Sequence, residues 1–293
     1  MKKIGITLSN GEQYFYLDSQ VGKETIILLH GNMSSGVHYS PIFDTLAKNY
    51  RVIAPDLRGF GDSSYKTRIT SLKDLADDIL DFTNLLSIDT FYLGGWSTGG
   101  AIALSIAQKA PDKVKKLILI ESASFRGYPI FKKDEKGAPI MGEYYDNIDD
   151  MAQDAVQVAP MVAVMETKNF AVMDAVWKQA IYTVNQPNEE DNTLYINETL
   201  KQRNLVDIDW ALTTFNMSNF TNGVSLGDAN IQEVTCPVLS LWSEKDVVVL
   251  EYMVDETVEA LKDVQKIVLK NSGHSPLVDC PVELTNNILN FIK

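Results

Sequence analysis

The stretch Gly95-Trp96-Ser97-Thr98-Gly99-Gly100 follows the apolar run Phe91-Tyr92-Leu93 and precedes Ala101 to Lys109, which reads as a helix ending near Pro111. It fits the pattern G-x-S-x-G. Between a strand and a helix, that pattern forms a steep turn that lifts the serine hydroxyl above the carboxyl edge of a sheet. The glycines are needed because a side chain at their positions would collide with the neighbouring strand or helix. Ser97 is therefore the candidate nucleophile, and Thr98 is the residue whose N–H would face an oxyanion.

The segments around this turn give the fold class. Short apolar runs recur at Thr25 to Leu29, Arg51 to Ala54, Phe91 to Leu93, Leu117 to Ile120, Val238 to Trp242 and Lys266 to Leu269. Such runs suit strands buried on both faces of a parallel sheet. Ile4 to Leu8 and Tyr14 to Leu17 flank Asn10-Gly11 and read as a hairpin. Leu72, Leu75, Ala76, Ile79, Phe82 and Leu86 recur at helical steps, and Met253 to Leu261 and Val282 to Ile292 complete the helical set. Strands alternating with helices predict an α/β fold with a mostly parallel sheet covered on both faces.

The alternation stops between 126 and 228. This stretch reads as several helices with no clear strand. It holds six of the nine methionines and sixteen acidic against eight basic residues, so most of the net charge of −13 lies in it. We read it as a helical cap inserted into a core made of 1–125 and 229–293. Its methionines suit either an adaptable pocket wall or packing between cap helices.

A nucleophilic serine needs a base, and the chain offers His30, His38 and His274. The order nucleophile, acid, histidine requires a late histidine, which selects His274 in Ser272-Gly273-His274. Asp246, in the loop after the strand ending at Trp242, is the acid expected to orient it. Glu244 and Glu121 are its rivals. The second oxyanion donor is expected from the loop His30-Gly31-Asn32-Met33, with the Asn32 N–H first and that of Met33 next. His30 is expected to organise that loop, and His38 to lie in a loop or at the rim of a cleft. Met33 and Trp96 are the candidate substrate contacts, although Trp96 is read first as filler beneath the cap.

Composition narrows the function. A net charge of −13 argues against nucleic-acid binding, which needs a basic surface. No apolar run approaches the ~20 residues of a membrane span. The first residues lack a signal-peptide core, and Cys236 and Cys280 fit no metal pattern, so a cytoplasmic protein with reduced thiols is expected.

His30-Gly31-Asn32, Asp56 to Ser63, Gly95 to Gly100, Asp246 and Ser272 to His274 together resemble the α/β-hydrolase superfamily, over the core on both sides of the cap. The resemblance is strongest to small capped esterases, lactonases and cofactor-free haloperoxidase-like members. It implies an eight-stranded sheet flanked by helices, with Arg58 in a structural role. Haloalkane dehalogenases and epoxide hydrolases carry aspartate where Ser97 stands, which argues against both. The expected function is serine hydrolysis of small or medium carboxylic esters, as monomer or homodimer, with no metal or organic cofactor. Carbon–carbon bond hydrolysis, thioester hydrolysis, acyl transfer and hydrolysis of hydroxyalkanoate oligomers or polyesters could use the same triad. A non-catalytic ligand-binding protein is the alternative from a different class.

Overall fold

The computed structural model describes residues 2–293. Among the described residues there are ten strands: β1 (Ile4–Thr7), β2 (Gln13–Asp18), β3 (Thr25–Leu29), β4 (Arg51–Pro55), β5 (Phe91–Trp96), β6 (Val114–Ile120), β7 (Phe131–Lys133), β8 (Pro139–Tyr144), β9 (Val238–Ser243) and β10 (Val264–Leu269). Eight of them form one sheet in the order β1-β2-β4-β3-β5-β6-β9-β10. The β1–β2 and β2–β4 pairings are antiparallel, and every other pairing in this sheet is parallel. This is the mostly parallel, helix-flanked α/β sheet expected from the alternation.

The central strands are apolar throughout because both faces are covered. In β3, Ile27 and Leu29 point into one core cluster and Ile26 and Leu28 into the other, as the two-residue repeat of a strand requires. The first cluster packs against helix Leu72–Leu85 through Leu75, Ile79 and Phe82. Asp78 interrupts the apolar face of that helix. Its carboxylate receives the Arg58 guanidinium through Nε (2.7 Å), together with the Tyr14 hydroxyl (2.8 Å). Arg58 thus has a structural partner, which pins the turn after β4 onto the helix.

Between β6 and β9 the chain leaves the sheet and forms helices Ile148–Ala152, Ala159–Glu166, Phe170–Ala180, Glu189–Thr199 and Leu205–Thr214. The expectation of an insertion without strands is corrected here, because β7 and β8 pair as an antiparallel hairpin. The hairpin is built by a turn rather than by an apolar pattern. The Asp134 side chain accepts the N–H groups of Lys136 (2.8 Å) and Ala138 (2.9 Å), Gly137 adopts a φ of 81°, and Phe131 stacks against Tyr144 at 5.1 Å. Four of the six methionines here, Met151, Met165, Met173 and Met217, are buried in the core clusters, while Met141 is exposed. Cys236 and Cys280 are free thiols. No helix among the described residues is long and apolar enough to cross a membrane.

Candidate active site

Ser97 stands between β5 and helix Thr98–Lys109, with φ 54° and ψ −120°. An L-residue adopts that conformation only when its surroundings over-determine it. Here they do. The Ser97 N–H donates to the Ile120 carbonyl (2.9 Å), and its own carbonyl accepts from Gly100 (2.9 Å) and Ala123 (3.1 Å). The helix that follows runs so close to β3 that a Cβ on Gly99 would lie 2.2 Å from the Leu29 oxygen. On the other side, a Cβ on Gly31 would stand 3.0 Å from the Ser97 Cβ. The glycines therefore allow two backbones to close around one serine.

His274 lies in the loop after β10 and is buried. Its Nδ1 is 2.8 Å from Asp246 Oδ2. The other oxygen of Asp246 accepts the N–H groups of Val248 (2.7 Å) and Val249 (3.0 Å). Burial raises the Asp246 carboxyl, but the facing His274 and a hydrogen bond from Glu121 outweigh it and hold the group below the usual carboxylate range. Asp279 takes the Gly273 N–H at 2.7 Å and fixes the loop that carries the imidazole.

Of the two rival acids, Glu244 is exposed and occupied with the Asn271 N–H (3.0 Å). Glu121 is fully buried beside Asp246, and it accepts both the N–H (3.0 Å) and the hydroxyl (2.6 Å) of Ser243. Burial first, and then the Asp246 charge, push its carboxyl well above the usual range. Glu121 thus backs Asp246 in an environment that favours its protonated form, and it is not the partner of His274.

The oxyanion candidates lie on one wall of a cavity of about 510 Å³ lined by Ser97, His274, Thr98, Asn32 and Met33, among mostly apolar side chains. The backbone N–H groups of Asn32 and Thr98 have no acceptor among the described residues. Thr98 opens its helix, where an intrahelical acceptor does not exist. The Met33 N–H is taken by Asn32 Oδ1 (2.9 Å) and Gln202 Oε1 (3.0 Å), which removes it from contention as a donor. Met33 itself lines the cavity.

Trp96 does not. It is buried, donates its indole N–H to the His274 carbonyl (2.8 Å), and packs against Trp177 at 6.4 Å. It supports the histidine loop, which agrees with the packing reading and corrects the alternative of a substrate contact. His38 is corrected too. Rather than lying at a rim, it is buried against Tyr195 (4.9 Å) and Trp177 (5.1 Å), and burial pushes it down to about 3. His30 is likewise neutral, pushed down to about 3 by burial. Its Nδ1 lies 2.8 Å from the Gly31 oxygen and its Nε2 accepts the Leu57 N–H at 3.0 Å, so it ties the Gly31 loop to the turn after β4.

Two residues that hold Asn32 carry no motif, and one of them, Asp209, lines the cavity. The Asn32 side chain is fixed by Gln202, whose Nε2 donates to Asn32 Oδ1 (2.8 Å), and by Asp209, which accepts from Asn32 Nδ2 (2.9 Å). Both partners lie more than 160 residues along the chain, in the insertion. The available signal was an acidic residue within the apolar helix Leu205–Thr214, and it is a faint one.

The sequence matches a family model described as the alpha/beta hydrolase fold over residues 24–281. It is 25% identical to Lipase 1 of Psychrobacter immobilis over 98% of this chain and 82% of that protein. It is 24% identical to Lipase 3 of a Moraxella species over 98% of this chain and 83% of that one. The fold is similar to that of an esterase from Exiguobacterium antarcticum, with a TM-score of 0.76 at 19% identity and 99% coverage of both chains. It is also similar to an enol-lactonase from Burkholderia xenovorans, with a TM-score of 0.74 at 16% identity and 99% coverage of both. The chain belongs to the α/β-hydrolase family and is one of its enzymes.

Proposed function

We propose that the protein hydrolyses carboxylic esters through an acyl-enzyme on Ser97. The observation that carries this reading is the cavity wall, where Ser97, His274 and two backbone N–H groups without acceptors meet while Asp246 holds the far side of the imidazole. Asp246 accepts the Nδ1 proton, which leaves the Nε2 lone pair for the Ser97 hydroxyl. The Ser97 Oγ attacks the ester carbonyl as His274 takes its proton. The resulting oxyanion faces the Asn32 and Thr98 N–H groups, each worth about 3 kcal/mol to such a transition state. Collapse expels the alcohol oxygen, which His274 protonates. Water, with His274 as base, then releases the acid. The mostly apolar lining and the likeness to lipases and esterases favour small or medium acyl groups.

The test combines a fluorophosphonate label with Ser97→Ala. The label should map to Ser97 by peptide mass spectrometry, and hydrolysis of p-nitrophenyl butyrate should fall by about a thousandfold or more in a variant with unchanged circular dichroism. Activity retained by Ser97→Ala, or a label on another residue, would refute the mechanism.

A further inference from the structure

Asp209 is the one acidic side chain on the cavity wall, and no lysine or arginine lines that wall. It sits on helix Leu205–Thr214, two residues from Asp207, and the two carboxylates differ sharply. Asp207 is paired with Arg68 through Nε (2.9 Å) and also accepts the Tyr65 hydroxyl. Asp209 Oδ1 accepts only Asn32 Nδ2 (2.9 Å), and Oδ2 has no partner among the described residues. The residue is half-buried and lines the cavity that Ser97 also lines. Burial pushes its carboxyl up to about 7, against a smaller downward pull from Asn32. An unpaired carboxyl oxygen in a mostly apolar cavity is a ready acceptor for a donor on an incoming ligand.

Its location says where that donor would be. Asp209 is bound to the side chain of Asn32, whose backbone N–H is the proposed oxyanion donor. The carboxyl is therefore bonded to the residue that carries the proposed oxyanion donor, in the cavity that Ser97 also lines. We propose that Asp209 is a specificity-determining residue whose free carboxyl oxygen binds a hydroxyl group carried by the substrate close to the scissile ester, so that hydroxy esters are the preferred substrates. This rests on the serine ester hydrolase reading and narrows it. A hydroxyl suits the site better than an ammonium group. It donates to the carboxylate and accepts from the neutral acid, so both forms of Asp209 serve it. An ammonium would shed its hydration into a mostly apolar cavity holding a single, reluctantly ionised carboxyl.

The experiment compares four esters by pH-stat titration at pH 8: ethyl butyrate, ethyl 3-hydroxybutyrate, 2-hydroxyethyl butyrate and 2-(dimethylamino)ethyl butyrate. The readout is the ratio of kcat/KM for each substituted ester to that for ethyl butyrate, taken within each variant, so that a general loss of rate cancels. In the wild type one of the two hydroxy esters should exceed ethyl butyrate by about tenfold, and Asp209→Leu should bring that ratio to about one. Should the leucine variant not fold, Asp209→Ala gives the same reading with a shorter side chain. Ratios near one in the wild type, or a hydroxy-ester preference that persists without the carboxylate, would overturn the proposal while leaving ester hydrolysis intact. A preference for the amino ester that disappears in Asp209→Leu would overturn the hydroxyl assignment in favour of a cation. Failure to hydrolyse any of the four would overturn the ester-hydrolase reading itself.

Discussion

The backbone of Ser97 offers a measurement in which stability and activity should move in opposite directions. At φ 54° and ψ −120° the residue lies where glycine is at ease and a Cβ is not. Strain of this kind costs about 1–3 kcal/mol. Ser97→Ala keeps the Cβ and hence the strain, whereas Ser97→Gly removes it. Glycine also loosens the unfolded chain, which costs the folded state about 0.4–1 kcal/mol. The glycine variant should therefore be more stable than the alanine variant by about 1 kcal/mol. For a chain of 293 residues, an unfolding entropy of about 2 cal/mol/K per residue turns that into a rise in Tm of about 2 °C. The assay is differential scanning calorimetry of both variants at one pH and scan rate, alongside hydrolysis of p-nitrophenyl butyrate. Both variants should be inactive, with glycine melting above alanine. A glycine variant that melts at or below the alanine variant would show that the turn carries no strain worth relieving.

Three further expectations follow from neighbouring contacts. Gly31→Ala would place a methyl 3.0 Å from the Ser97 Cβ. Activity on p-nitrophenyl butyrate should fall more than tenfold with a Tm change of only a few degrees, and an unimpaired rate would contradict the close approach. Glu121→Gln replaces a neutral acid with a neutral amide and should keep kcat within about threefold, whereas Asp246→Asn should lose about a thousandfold or more. A large loss in the glutamine variant would mean that Glu121 works as an anion. Asp209→Asn should stabilise the fold more at pH 8 than at pH 4.5. Burial pushes the Asp209 carboxyl up to about 7 in the folded chain, from an ordinary value of 3.8. Between those values the unfolded state has released a proton that the folded state keeps. Stability is therefore lost as pH rises through the window and stays lower above it. Asparagine escapes this loss, for a relative gain on the order of 2 kcal/mol by urea unfolding once solvent in the cavity is allowed for. Equal gains at both pH values would remove the case for a raised carboxyl.

The parts of this molecule that could be read in advance are those whose cause is local. Ile26 to Leu29 and Phe91 to Leu93 are strands because both their faces are buried, and an unbroken apolar run records that directly. The turn at Ser97 is legible because its glycines are demanded by neighbours a few residues away or one strand across. Asp246 and His274 could be placed by chain order and by their loops at the carboxyl ends of β9 and β10. The hairpin β7–β8 escaped because its strands are mostly exposed or half-buried and carry no apolar alternation. Its signal was the turn chemistry of Asp134 and Gly137. The substrate-contact reading of Trp96 and the rim reading of His38 failed for a different reason. A tryptophan beside a nucleophile and a histidine in a loop look available, and only the packing of Trp177 and Tyr195 shows that they are enclosed. Asp209 and Gln202 could not be tied to Asn32 at all, because a contact spanning 177 or 170 residues leaves no periodicity.

Those two contacts bear on how such a protein could change over evolutionary time or in the laboratory. The Asn32 amide is held in place from the far side by residues of the insertion, so the reaction centre is shared between the sheet and the segment laid over it. Replacing 126–228 wholesale with the corresponding segment of another hydrolase would do more than reshape the substrate space. Unless the graft also brought an acceptor to position 209 and an amide to position 202, it would untie the loop that carries the proposed oxyanion donor. Chimaeras at this junction should therefore fail in turnover number before they fail in folding, and the two positions are the first to restore.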